Sequence, residues 1–247
     1  MKGGYYNIMI NKLDIFIYLE MLFKKSMHNI TKEELLNVST IVIEYKEFDN
    51  LGDQIELSQV LHLLPNLKKV TIKNKHITAN ILADLSLVDL ESLSFENCSI
   101  SNDFTLKTFE NLKELFITNC ALLDYSILDT INKKIKKIAI INPIDEKIID
   151  ISHFLNYLEL NELFLERCVV ENIDKVSNLS NLKVISLLWS DIVDIHNISV
   201  FLNLRELEDV YLSKYYEDLE EVRNLSSQKN VYYDLKHLVF GDNKKNL

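Results

Sequence analysis

Among the residues able to form a catalytic or metal centre in this 247-residue chain are three cysteines, Cys98, Cys120 and Cys168, and six histidines, His28, His62, His76, His153, His196 and His237. Their spacing builds neither. No H-E-x-x-H pair would set two imidazoles on one helix face, no G-x-S-x-G elbow would present a serine, and no glycine-rich loop would turn backbone N–H groups toward a phosphate. No cysteine has a neighbouring histidine to accept its proton. The sequence therefore predicts a protein that is not an enzyme, with no cofactor and no metal site. What the cysteines do carry is a period, since Cys98 and Cys120 stand 22 residues apart.

The segment FENLKELFITNCAL, from Phe109 to Leu122, sets the frame. Leu112 anchors it, Leu115 and Ile117 follow at alternate positions, and Cys120 closes it. Anchors recur at Leu67, Leu90, Leu112, Ile135, Leu160, Leu182, Leu207 and Leu235, 22 to 28 residues apart, with a degenerate copy at Val38. The alternate pair is apolar in every copy: Val70 and Ile72, Leu93 and Phe95, Leu115 and Ile117, Ile138 and Ile140, Leu163 and Leu165, Ile185 and Leu187, Val210 and Leu212, Leu238 and Phe240. Chance does not hold two positions apolar through eight copies.

Alternation with period 2 turns one set of side chains inward and the other outward along a short strand. One turn cannot enclose its own apolar residues, so neighbouring turns must stack and cover them. Cys98, Cys120 and Cys168 share one frame position, at the inward end of each strand, where a small polar group bonds backbone left unpaired by the corner. A thiol is a weak donor that also behaves as a small hydrophobe, which suits that place. This structural ladder is preferred over a disulfide or a metal site. Cys98 and Cys120 should be neighbours on adjacent turns, where a bridge is conceivable, and a reducing compartment would keep them free.

Nearly half the residues are apolar, enough for a linear core, and only four glycines and two prolines occur, so no flexible linker is expected. A net charge of -10 argues against nonspecific binding of nucleic acid or anionic membrane and favours a protein partner with a basic surface. The N-terminal apolar stretch is interrupted by Asn7, Asn11, Lys12, Asp14 and Glu20, has no cleavage site and is too short to span a membrane. The expected setting is cytoplasmic, and the expected state a monomer.

Residues 1–37 are expected to be a flexible leader and a helical cap over the open end of the stack. The cap comprises a helix over Leu13–Met27 and a second opened by a capping box, Thr31 with Glu34. Residues 38–212 hold the repeats. Each return path is long enough for a short helix or 3₁₀ turn, and Asn142-Pro143 should distort one of them. Residues 213–247 are expected to be an irregular last repeat and a C-terminal cap, with Tyr215 at the corner, a helix over Glu217–Leu225 and a final strand over Leu235–Gly241.

The frame L-x-x-L-x-L-x-x-N/C-x-L resembles the leucine-rich repeat. Residues 179–195, LSNLKVISLLWSDIVDI, with Ile192, Asp194 and Ile195 at the end, are similar to the repeat of the bacterial internalin-like subgroup. The resemblance spans residues 31–247. It implies an α/β solenoid, a right-handed superhelix bent into a horseshoe, with a parallel concave sheet of about eight or nine strands and short helical or 3₁₀ segments outside. It also implies a concave face that holds protein ligands.

Outward strand positions would form that face. Phe116, Phe164, Trp189 and Tyr211 are expected to be partner-binding anchors, because large exposed aromatics are natural hot spots. Glu162, Glu166 and Asp209 would select a cationic partner. The alternative is that the aromatics only brace neighbouring strands. Asn74, Asn97, Asn119 and Asn142 share a position just before the corner and read as a structural column. Function is read as a non-catalytic protein-interaction module, with an inhibitor or immunity protein against a basic enzyme or toxin as alternative, and a bacterial effector as a further one.

Overall fold

The structure, a computed structural model, describes residues 7–10, 15–45, 57–101, 105–122, 124–144 and 147–233. It divides into two compact units, Met1–Ile135 with Pro143–Asp145, and Lys136–Asn142 with Glu146–Leu247.

In the first unit the strands Asn7–Ile10, Thr40–Tyr45, Lys69–Lys73, Ser92–Glu96 and Glu114–Thr118 pair side by side, all parallel, in chain order. The frame sets the register. Val70 is level with Leu93 and Leu115, and Ile72 with Phe95 and Ile117. All six are buried, as are the anchors Val38, Leu67, Leu90 and Leu112. Burying each such side chain contributes roughly 1.5–3 kcal/mol. A second, shorter parallel sheet, His76–Ile77, Ser99–Ile100 and Ala121–Leu122, follows the corners.

The second unit repeats the plan with Lys137–Ile141, Glu162–Glu166, Val184–Leu187, Asp209–Leu212 and Asn230–Tyr233. Leu163 sits between Ile138 and Ile185, and Val210 is level with Ile185. These residues are fully buried. The short sheet here is Ile148–Asp150, Val169–Glu171 and Asp191–Ile192. The return paths are 3₁₀ helices at Ile151–Phe154, Ile173–Asn178 and Ile195–Asn203.

Two ends differ from the sequence reading. Asn7–Ile10, expected within a flexible leader, is a strand paired with Thr40–Tyr45. The helices Ile15–Phe23 and Lys32–Leu36 are thus the connection between two adjacent strands. The capping box forms as read: Glu34 N donates to Thr31 Oγ1 at 3.2 Å, and Thr31 N to Glu34 Oε2 at 3.0 Å. At the other end the strand beside Asp209–Leu212 is Asn230–Tyr233, with Val231 level with Val210 and Tyr233 with Leu212. The anchor place of that turn, three residues before Val231, holds exposed Gln228, and the adjacent Lys229 ties the turn down instead, its Nζ donating to Leu204 O at 2.8 Å and Leu207 O at 2.7 Å. The expected strand Leu235–Gly241 lies outside the described residues, while the expected helix before it is present as Glu220–Ser226.

Candidate functional site

Two columns at the strand ends fix how the open sheet face is presented. The first is the inward corner. Cys98 Sγ reaches Ile72 O at 3.5 Å and Glu96 O at 3.3 Å, and Cys120 Sγ reaches Phe95 O at 3.4 Å and Thr118 O at 3.3 Å. Cys120 Sγ also accepts from Cys98 N at 3.4 Å. Cys168 repeats the arrangement on Ile140 O and Glu166 O, while its own N–H donates to Ser190 Oγ at 3.0 Å. All three cysteines are buried free thiols. The Cys120 thiol is pushed well up by its bond to Cys98 and by burial, and burial pushes Cys168 up to about 12. Cys120 and Cys168, so raised, are poor nucleophiles. In the last corner Tyr215 does not take this role. Buried Ser213, two residues earlier, accepts from Trp189 N at 2.6 Å, and the Tyr215 hydroxyl instead donates to Ser190 O at 2.6 Å.

The second column precedes the corner and has left-handed backbone. Asn74, Asn97, Asn119 and Asn142 have φ of 58°, 53°, 52° and 51°. Asparagine visits this region at little cost, which suits it to a place that the frame itself leaves open. In the first unit the side chains also bond along the column: Asn97 Nδ2 to Asn74 Oδ1 at 3.2 Å, and Asn119 Nδ2 to Asn97 Oδ1 at 3.1 Å. In the second unit the column departs from asparagine, since Arg167 and Trp189 hold the same conformation with φ of 56° and 57°. The Arg167 guanidinium lies over the Trp189 ring, 4.8 Å from its centroid.

The open face of the second unit has a middle row that runs, in register, Ala139, Phe164, Ser186, Tyr211 and Tyr232. Small and large residues alternate along most of it. Ala139 is 2% and Ser186 1% exposed although both point away from the core, so the aromatic neighbours close over them. Tyr211 and Tyr232 stack with centroids 4.9 Å apart, and Tyr232 stays 45% exposed. Lys137 Nζ stands 4.7 Å over the Phe164 ring and pairs with Glu162 at 2.6 Å.

The aromatics expected to be anchors thus stand on the face away from the core, with Trp189 at its rim. Phe116 belongs to the first unit, level with Ser94. The acidic residues expected to select a cation are already engaged within the chain: Glu162 with Lys137, Glu166 with the Ser186 hydroxyl at 2.6 Å, and Asp209 with Asn230 Nδ2 at 3.0 Å. The charge of Asp209 also raises the Tyr232 phenol. Arg167 was not among the expected site residues, although it occupies the column position where four earlier turns carry asparagine. Among the described residues no group of three or more His, Cys, Asp or Glu side chains could hold a metal ion, and no helix is long and apolar enough to cross a membrane.

Parallel strands at the frame's period, inward apolar pairs and a polar corner ladder decide the architecture. The fold is that of the leucine-rich repeat proteins. The internalin InlF from Listeria monocytogenes str. 4b F2365 matches with a TM-score of 0.52 and 21% identity, over 72% of this chain and 48% of that one. The internalin C2 of the same strain matches at 0.50 and 18%, over 73% and 74%. TLR13, in a complex with ssRNA13, matches at 0.53 and 16%, over 87% and 36%. The leucine-rich repeat chain therefore spans about half the length of the InlF structure. No sequence-family model matches it, and neither does any curated protein.

Proposed function

We propose that this leucine-rich repeat chain is a non-catalytic protein-binding module whose partner docks on the open sheet face of the second unit. Phe164, Tyr211 and Trp189 serve as anchors, and Phe116 offers a further aromatic on the first unit. The observation that carries the reading is the aromatic row itself, with Tyr232 nearly half exposed beside Tyr211. Aromatic rings present large rigid area at low entropy and dominate interface energetics. A net charge of -10 favours a partner of opposite sign and works against a phosphate backbone, so a protein is preferred over the kind of ligand seen in the TLR13 complex. The same charge supports a second reading, an inhibitor or immunity protein that covers a basic enzyme or toxin.

The test is capture of interacting protein by the whole chain, compared with a Phe164→Ala, Trp189→Ala, Tyr211→Ala variant. The variant should keep its far-UV circular dichroism and lose the partner. A folded variant that retains full affinity contradicts the reading. Assay of the captured protein for an activity that the chain suppresses separates inhibitor from scaffold.

A further inference from the structure

The column before the corner holds asparagine in four turns, and asparagine suits its left-handed backbone better than most residues. Arg167 and Trp189 accept the same backbone without that advantage, in two consecutive turns, and are stacked on each other at 4.8 Å. Packing does not require the exchange, because Asn142 fills the place in the same unit. Trp189 also has its backbone fixed, its N–H donating to buried Ser213 at 2.6 Å. Arg167 is exposed, and among the described residues no carboxylate pairs with its guanidinium. The acids expected to select a cation are engaged with other residues: Glu162 with Lys137, Glu166 with Ser186 and Asp209 with Asn230. A planar guanidinium backed by an indole, with its N–H donors unspent, matches a carboxylate in fork geometry.

We infer that Arg167 on Trp189 is a carboxylate clamp, and that the partner presents an aspartate or glutamate side chain, flanked by apolar residues, to the rim of the second unit's open face. This rests on the proposed function and adds the chemistry of one contact. A partner of positive overall charge remains compatible. Net charge steers the approach of the whole molecule, whereas the clamp acts within a Debye length of about 8 Å at physiological salt.

Trp189 is the sole tryptophan of the chain, so its emission reports this place alone. The experiment titrates the full-length protein at physiological salt with a capped octapeptide alternating leucine and glutamate. The counterparts carry glutamine or lysine in place of glutamate. The glutamate peptide should change Trp189 emission saturably, and the glutamine peptide should need roughly ten-fold more or fail to saturate. Arg167→Gln should abolish the difference between the two peptides while leaving the melting temperature unchanged. Equal responses to glutamate and glutamine peptides, no saturable response to the glutamate peptide, a response to the lysine peptide alone, or an Arg167→Gln variant that still prefers glutamate each overturn the clamp. If the clamp fails while the triple alanine variant still loses its captured partner, the docking face stands without it. If that variant keeps the partner, the docking face fails independently of the peptide result.

Discussion

Replacing Ser190 tests whether the corner column is held by hydrogen bonding or by shape. Ser190 is fully buried, and its Oγ accepts from Cys168 N at 3.0 Å and donates to Leu165 O at 2.7 Å. Ser190→Ala removes one oxygen, so the cavity is small and packing adds little. It strands a buried N–H and deprives a buried carbonyl of a donor, at roughly 1–3 kcal/mol each, or about 2–6 kcal/mol together. Against a total stability of about 5–15 kcal/mol that is a large loss. Ser190→Cys should lose less than about 1 kcal/mol, because Cys98, Cys120 and Cys168 meet the same need with thiols 3.2–3.5 Å from their carbonyls. Urea unfolding followed by circular dichroism, with free energies from linear extrapolation, measures both. If Ser190→Ala matches the wild type, or if Ser190→Cys falls as far as Ser190→Ala, hydrogen bonding is not what the column supplies.

The left-handed column gives a second contrast. Asn97→Ala should destabilise by roughly 1–2 kcal/mol, because alanine pays the full left-handed penalty at φ 53° and two ladder amide bonds disappear. Asn97→Gly should lose less, since glycine adopts that backbone freely. Thiol titration with Ellman's reagent should find no reactive cysteine in the native protein and three after unfolding in urea, because Cys98, Cys120 and Cys168 are buried. Acid should weaken the fold in a defined direction. Lys68 and Asn111 hold the Asp89 carboxyl below its ordinary 3.8, and Lys113 holds Glu91 below its ordinary 4.5. Groups whose folded values are lowered contribute stability above the unfolded values and lose it as pH falls through the folded ones. The urea midpoint should therefore drop as pH falls below about 4, and Asp89→Asn should drop less steeply.

Much of the architecture was legible because strand alternation is local. Leu163 and Leu165, or Val70 and Ile72, needed only their own neighbours and one period to be placed inward, and all four are buried. The corner role of Cys98, Cys120 and Cys168 followed from the same frame. The edges were less legible. Val231 belongs to a turn whose anchor place is held by exposed Gln228 rather than a leucine, so the leucine frame pointed onward to Leu235. Asn7–Ile10 carries no anchor and becomes a strand by pairing with Thr40–Tyr45. The outward residues alternate with the buried ones along each strand, but what they do there depends on cross-strand partners. Glu166 faces the Ser186 hydroxyl, Asp209 faces Asn230, and Glu162 faces Lys137. The position of Arg167 could have been found, since it breaks a column that four asparagines define.

One pair of variants separates inside from outside on a single strand. Leu163 is fully buried between Ile138 and Ile185, while Phe164, the next residue, stands on the open face between Ala139 and Ser186. Leu163→Ala should lower unfolding stability by about 2–5 kcal/mol. Phe164→Ala, although it removes the larger side chain, should lose clearly less and should act on partner affinity instead. A Phe164→Ala variant destabilised more than Leu163→Ala would contradict the stacked-turn account.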